Sequence, residues 1–223
     1  MSPYEYVQTA AKHSDVPILV SVGAELGNHE TTFFCKVAPE GRIFAIEPDP
    51  RTFEHLAKLP TKFPNLCTHN FAISNTNGTH VFFQTGGSGC PFKSDEEFFN
   101  NEWTLASSLL GQEKMTPEGE FWPWMTCKQI VVPTMTLDTW AATNNVDHID
   151  FLWVDVEGAT HLLIEGGSNI LAKTRYFYTE VRAWARLEGE CLKPDVIRLL
   201  PDFELIEDYG QDILLRNKKL CTL

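Results

Sequence analysis

Positive charge is scarce in this sequence: 18 Lys and Arg stand against 30 Asp and Glu, a formal charge of −12. Binding to a nucleic-acid backbone draws on clustered cations, so nucleic acid is not the expected partner. Long apolar runs are also missing; no stretch of about 18 uninterrupted apolar residues occurs, and no membrane insertion is expected. The first twenty residues, MSPYEYVQTAAKHSDVPILV, hold no basic region followed by an apolar core and a cleavage site, so a cytoplasmic protein is expected. The six cysteines, Cys35, Cys67, Cys90, Cys127, Cys191 and Cys221, form no CxxC pair and no ligand-like spacing with His. Reduced thiols follow, with no metal assigned.

What is present is enough hydrophobic content, 43% of 223 residues, for one sizeable core. Short runs rich in Val, Ile and Phe alternate with helix-like stretches, which is how a buried parallel sheet reads. Strands are expected at Ile18 to Val22, Arg42 to Ile46, Leu66 to Ile73, Ile130 to Val132, Ile149 to Val156 and Arg175 to Val181. An antiparallel pair near Phe203 to Ile206 and Ile213 to Arg216 completes the sheet. A helix is expected from Asn28 to Val37 and another opened by Pro48 and Pro50; an Asn77-Gly78 turn leads to an accessory strand at His80 to Gln84. The pattern is that of a single doubly wound α/β domain spanning 1–223. From about Thr85 to Lys128 the rhythm breaks into a glycine-containing, aromatic-rich insertion, expected to pack as a cap or lid over the site or to anchor itself to the core.

The chemistry starts at VSVGAELG, where Gly23 and Gly27 follow an apolar strand and lead into a helix, so that backbone amides can approach a ligand closely. The second strand ends IFAIEPDP, which puts Glu47 where an acid accepts ribose hydroxyls. A dinucleotide calls for a three-glycine loop around its pyrophosphate, whereas Glu25 inside this loop repels phosphate and tolerates an aminoacyl group. The third signal is DFLWVDVEGATHLLIEGG. Residues two apart on a strand share a face, so Asp155 and Glu157 are expected in one pocket, with Glu157 as a helix cap the plainer alternative. Strand RYFYTEV and the residues after it add Glu180 and Arg182, read either as a substrate contact or as a self-satisfied ion pair.

In VSVGAELG, GRIFAIEPDPRTFEHL, NFAIS at Asn70 to Ser74, VPTMTLDTW, IDFLWVDVEGATHLLIEGG and YTEV, taken in order from Ile18 to Val181, the chain resembles the FkbM-type methyltransferases among the Rossmann-like S-adenosylmethionine-dependent enzymes. The resemblance implies a mostly parallel seven-stranded sheet with a reversed last strand, S-adenosylmethionine as donor and O-methylation of sugars or similar hydroxyls. Carried over by position, Gly23, Ala24, Glu25, Gly27 and Asn28 line the methionine part, Glu47 and Pro48 the ribose, and Asn70, Phe71 and Ala72 the adenine region, with Asp155 and Glu157 where acceptors bind. The family often has an acid where this chain has Ser21, so contact with the cofactor's amino group is expected to pass to Glu25, Asp155 or water.

An alcohol becomes a competent nucleophile as its proton leaves, so a general base is needed. Asp155 leads the candidates, ahead of Glu157 and His161. Glu180, Arg182, Trp124 and Trp184 are candidate contacts to a sugar or glycan acceptor, aromatic faces suiting pyranose rings. Two alternatives carry their own signatures. A nicotinamide-dependent sugar oxidoreductase calls for a pyrophosphate loop and a Tyr-x-x-x-Lys pair, neither of which occurs. A non-catalytic cofactor-fold module of a longer multidomain chain fits the start so close to the first strand.

Overall fold

The computed structural model describes residues 1–86, 106–111 and 126–220. Helix α1 (Pro3–Ala10) starts on a capping box in which Ser2 and Glu5 satisfy each other's backbone amides, with Pro at the first turn. Then follow β1 (Ile18–Val22), α2 (Glu30–Val37), β2 (Arg42–Ile46), α3 (Pro50–Leu56), β3 (Leu66–His69), β4 (Ala72–Ile73), β5 (Gly78–Gly86) and β6 (Thr126–Met135). The second half runs α4 (Leu137–Thr143), β7 (Ile149–Val154), α5 (Thr160–Glu165), α6 (Ser168–Leu171), β8 (Thr174–Glu180), α7 (Lys193–Leu199), β9 (Phe203–Asp208) and β10 (Asp212–Asn217).

Seven strands form the main sheet in the order β3-β2-β1-β7-β8-β10-β9. β1, β2, β3, β7 and β8 pair in parallel, and β10 runs antiparallel to both its neighbours, so the last strand is reversed. The alternation of side chains explains why every residue of β1 is buried. Leu19, Ile43, Ala45 and Phe151 point to one face with Val7, Phe34 and Leu56 of α1, α2 and α3. Val20, Val22, Phe44, Ile46, Leu152 and Val154 point to the other with Trp140, Leu163 and Val196 of α4, α5 and α7. Helices on both faces make this a doubly wound α/β fold.

Two sequence expectations need correction. The segment from Leu66 to Ile73 is not one strand: β3 pairs with β2, whereas β4 leaves the main sheet to pair with β6. The run around Ile130 to Val132 likewise belongs to a separate three-stranded sheet, β4-β6-β5, whose β5 and β6 pair antiparallel from Gly78 to Gly86 and Thr134 to Thr126. Apolar composition marks these runs as strands but carries no information on which edge they join. This second sheet is fastened to the start of α3, where Asp49 caps the helix, holds the Arg51 guanidinium and accepts from the Gln84 amide at 2.9 Å, while Arg51 also donates to the Thr85 carbonyl at 2.8 Å. Helix α2 begins two residues later than expected, at Glu30. Among the described residues, no helix is long and apolar enough to cross a membrane.

Candidate active site

The carboxyl ends of β1, β2 and β7 open into a cavity of about 300 Å³. At its floor the chain crowds tightly. Gly23 turns at φ +80, and a Cβ there would meet the Asp155 carbonyl oxygen at 1.7 Å, so only glycine lets the β1 loop lie against the end of β7. The Gly23 and Ala24 amides donate to the Ile46 carbonyl, and the Asp155 amide donates to the Val22 carbonyl, locking three strand ends together.

Glu47 follows β2 directly and is 6% exposed. Its two oxygens accept the backbone amides of Glu25 and Asp49, each at 2.8 Å, so the carboxylate fixes the glycine loop and the entry to α3 at once. Burial pushes its pKa up to about 7 against the opposing pull of those amides. Because the folded form holds its proton more tightly than the unfolded chain, the stability it contributes is full below about pH 4.5 and is lost as pH rises through about 7. The slope of melting temperature against pH is therefore expected to flatten in Glu47→Gln over that window, by an amount worth about 3 kcal/mol. An unchanged slope in a thermal-melting series would remove Glu47 as its source.

Asp155 lies one residue beyond β7, on the cavity wall, and is exposed. Desolvation, then the charges of Glu157, Glu180 and Glu30, raise it well above the usual carboxylate range. Among the described residues no cation pairs with it. Glu157 differs: its backbone is left-handed at φ 47, so strand alternation does not place it, yet carboxylate oxygens of Asp155, Glu157 and Glu180 lie within 4.8 Å of one another. Nor does Glu157 cap a helix. It accepts from Arg182 at 3.0 Å and from Arg186, while its carbonyl accepts from the Ser108 hydroxyl at 2.9 Å. Arg182 also reaches Glu180 at 2.7 Å and Glu190 at 2.8 Å. Gly158 makes room for Glu190, whose Cγ would stand 2.7 Å from a Cβ there. The ion-pair reading of Glu180 and Arg182 is thus met in an enlarged form, as a two-arginine, three-carboxylate network beside Asp155. Burial, then Glu157, raises Glu180 to about 7.

Of the residues expected from sequence, Gly23, Ala24, Glu25, Asn28, Glu47, Pro48, Ala72, Asp155 and Glu157 line the cavity. Gly27, Asn70, Phe71, His161, Glu180, Arg182 and Trp184 are not on its wall. Gly27 turns the loop at φ +71 under Leu56 and Leu59. Asn70 bridges strand ends by donating to the carbonyls of Glu47 at 2.9 Å and Pro48 at 3.3 Å. Phe71 packs on the core beside His69, and His161 sits in α5 with a buried Nδ1. Phe71 and His161 are both half-buried, the first against the core and the second in α5, and neither side chain is on the wall of this cavity. Trp184 is exposed, and Trp124 lies outside the described residues. Wall residues that sequence reading passed over include Tyr4, Glu30, Ser107, Ser108 and Leu109; Trp153, read as core, also reaches the wall, its ring tilted against Tyr178 with centroids 4.0 Å apart. Ser107 to Leu109 belong to the insertion, and the rest of its aromatic run lies outside the described residues.

The strand order with its reversed last strand, and an acid-lined cavity over the first glycine loop, define the class of Rossmann-like S-adenosylmethionine-dependent methyltransferases. Within that class the chain belongs to the methyltransferase FkbM domain family, whose model matches residues 21–212. A 2-O-methyltransferase, NoeI, of Sinorhizobium fredii is 30% identical over 209 residues, covering 92% of this chain and 81% of that protein. Among solved structures, a methyltransferase FkbM from Methylobacillus flagellatus matches at 10% identity and a TM-score of 0.48 over 91% of this chain, which spans 44% of its length. Fibrillarin from Aeropyrum pernix, solved with natively bound S-adenosyl-L-methionine, matches at 12% identity and a TM-score of 0.46, over 90% of this chain and 65% of that one.

The cavity suits the cofactor. Its volume lies at the lower end of the range for small-molecule sites. Its lining combines apolar surface from Val22, Ala72, Ile73 and Phe82 for a flat base with carboxylates for hydroxyls and for positive charge.

Proposed function

We propose that the chain transfers a methyl group from S-adenosylmethionine to a hydroxyl oxygen of a sugar or glycan, with Asp155 as the proton acceptor. The observation that carries this reading is the placement of Asp155: a carboxylate on the cavity wall with no cation paired to it among the described residues, within 4.8 Å of Glu157 and Glu180, which the arginine network keeps occupied, and held well above its ordinary range. A base works best when its pKa lies near the working pH, and burial next to like charges is how a carboxylate gets there. Bound in the cavity, S-adenosylmethionine supplies an electrophilic methyl on a positively charged sulfur. Glu47, which keeps lone pairs beyond those its two amides occupy, would accept the ribose hydroxyls, and the Gly23 to Asn28 loop would hold the aminoacyl part. Asp155 holds the acceptor hydroxyl by its proton, which passes to the carboxylate as the oxygen is methylated. Glu157 and Arg182 keep the loop after β7 in shape. The likeness to a 2-O-methyltransferase supports oxygen as the methylated atom, and the charge of −12 favours an uncharged acceptor over a polyanion.

The test is transfer of isotopically labelled methyl from the cofactor to a panel of monosaccharides, oligosaccharides, non-carbohydrate alcohols, carboxylic acids and amine-bearing controls. Label recovered in an alkali-stable ether on a sugar is the expected result. Label in an alkali-labile ester or on nitrogen would overturn the oxygen assignment, and label confined to non-carbohydrate hydroxyls would overturn the acceptor class.

A further inference from the structure

Glu30, on the cavity wall, has surroundings unlike those of the other acids. It is the first residue of α2, and its Oε1 accepts two hydroxyls, Ser21 Oγ at 2.8 Å and Thr31 Oγ1 at 3.1 Å. Ser21 is fully buried at the carboxyl end of β1, so this brace is built into the central strand. Burial raises the pKa of Glu30, and both hydroxyls act in the opposite sense, favouring the charged form. Its own backbone amide and the neighbouring His29 also favour the charged form, but among the described residues no Lys, Arg or His lies within ion-pair distance of it, and Oε2 accepts from no side-chain donor. A charge taken out of water is costly without a partner. A carboxylate steadied on one oxygen and open on the other is completed by a ligand cation that brings N–H donors.

S-adenosylmethionine has two positive groups, the sulfonium and the α-ammonium, and only the ammonium has protons to donate. Glu25 stands on the same wall, in a left-handed turn at φ 49 with its backbone amide bound to Glu47, but no buried hydroxyl of β1 braces its carboxylate as Ser21 braces Glu30 among the hydrogen bonds of the described residues. Asp155 lies among Glu157 and Glu180, where the acceptor is deprotonated in the reading above. The geometry points to Glu30, braced by Ser21 and Thr31, as the residue that receives the α-ammonium of the cofactor's aminoacyl arm. This assignment rests on the cofactor and is independent of which acceptor is methylated.

It is tested by calorimetric titration with two ligands that cannot donate a methyl group: S-adenosylhomocysteine, and 5′-methylthioadenosine, which keeps the adenine, ribose and thioether but lacks the aminoacyl arm. Glu30→Gln is expected to weaken S-adenosylhomocysteine by about 10- to 100-fold while 5′-methylthioadenosine stays within about twofold. Ser21→Ala, which removes only the brace, is expected to weaken the first ligand by about 3- to 10-fold and to spare the second. A Ser21→Asp, Glu30→Ala pair, which returns a carboxylate from the strand side, is expected to recover most of the loss. Equal weakening of both ligands would make Glu30 a structural residue and overturn the assignment. So would unchanged binding of S-adenosylhomocysteine, or selective loss in Asp155→Asn in place of Glu30→Gln. Failure here leaves transfer to sugar hydroxyls untouched, because that reading is judged on the methylated product.

Discussion

Asp155→Asn is expected to lower kcat by about 10²- to 10⁴-fold while the Kd for S-adenosylmethionine changes little. The side chain keeps its volume, so the tight approach of the Gly23 loop to the end of β7, which runs through the Asp155 backbone, is undisturbed. What disappears is the capacity to take a proton. In the wild-type protein kcat/KM is expected to rise with pH as Asp155 ionises, the raised pKa placing that limb well above the ordinary carboxylate range. The variant loses the limb. A second signature distinguishes a base from a residue that merely fills space. The folded-state pKa of Asp155 is raised, first by desolvation and then by Glu157 and Glu180, so its contribution to stability is present at low pH and is lost as pH rises through the folded value. Asn carries no such dependence, and the variant is expected to melt higher than wild type at neutral pH and above, inactive and more stable together. A fall in kcat of less than about tenfold would remove the general-base role. A large rise in the cofactor Kd would move Asp155 to the cofactor contacts.

The parts of this molecule written into the sequence are those whose signal is local. A buried parallel strand ending in glycine or an acid announces itself, which is why Ile18 to Gly23, Arg42 to Glu47 and Ile149 to Asp155 are legible together with the ends that line the cavity. Partnership between distant segments is not local. Nothing in the composition of Ile130 to Val132 distinguishes an eighth strand of the main sheet from a strand of a second one; the choice is made by Asp49, Gln84 and Arg51 tying β5 to the start of α3. Glu30 reads as an ordinary acid in the first turn of a helix, favourable to the helix dipole, until the fold brings it to Ser21. Tyr4 reaches the cavity from a helix that sequence reading had not assigned, by way of its contacts with Phe33 and Trp153. For Glu157 the expected location held although the expected cause did not: alternation along a strand does not apply at φ 47, and two arginines hold the side chain instead.

Those arginines carry the other large effect. Arg182 spreads its guanidinium over three carboxylates, Glu157, Glu180 and Glu190, and is 17% exposed. Burial pulls its own pKa down, and Glu157 and Glu180 more than restore it. Arg182→Ala leaves these acids close together with Arg186 as their remaining cation among the described residues. Stripping one partner from a buried network costs about 3–5 kcal/mol, which for a chain of this size is a fall in melting temperature on the order of 10 °C. Arg182→Lys is expected to recover a minor part, because one ammonium cannot occupy the three directions a planar fork serves. The pH dependence separates this account from a loss of packing. Arg182 pulls the raised pKa of Glu180 down, so without the guanidinium Glu180 holds its proton more tightly in the folded form, and the deficit against wild type grows as pH rises and shrinks in acid. A cavity left by the missing side chain would cost the same at pH 5 as at pH 8. A deficit below about 1 kcal/mol, or one independent of pH, would mean that the network behaves as an exposed salt bridge. Arg182 would then be free to contact the acceptor, and the alternative reading of the residues after YTEV would be restored.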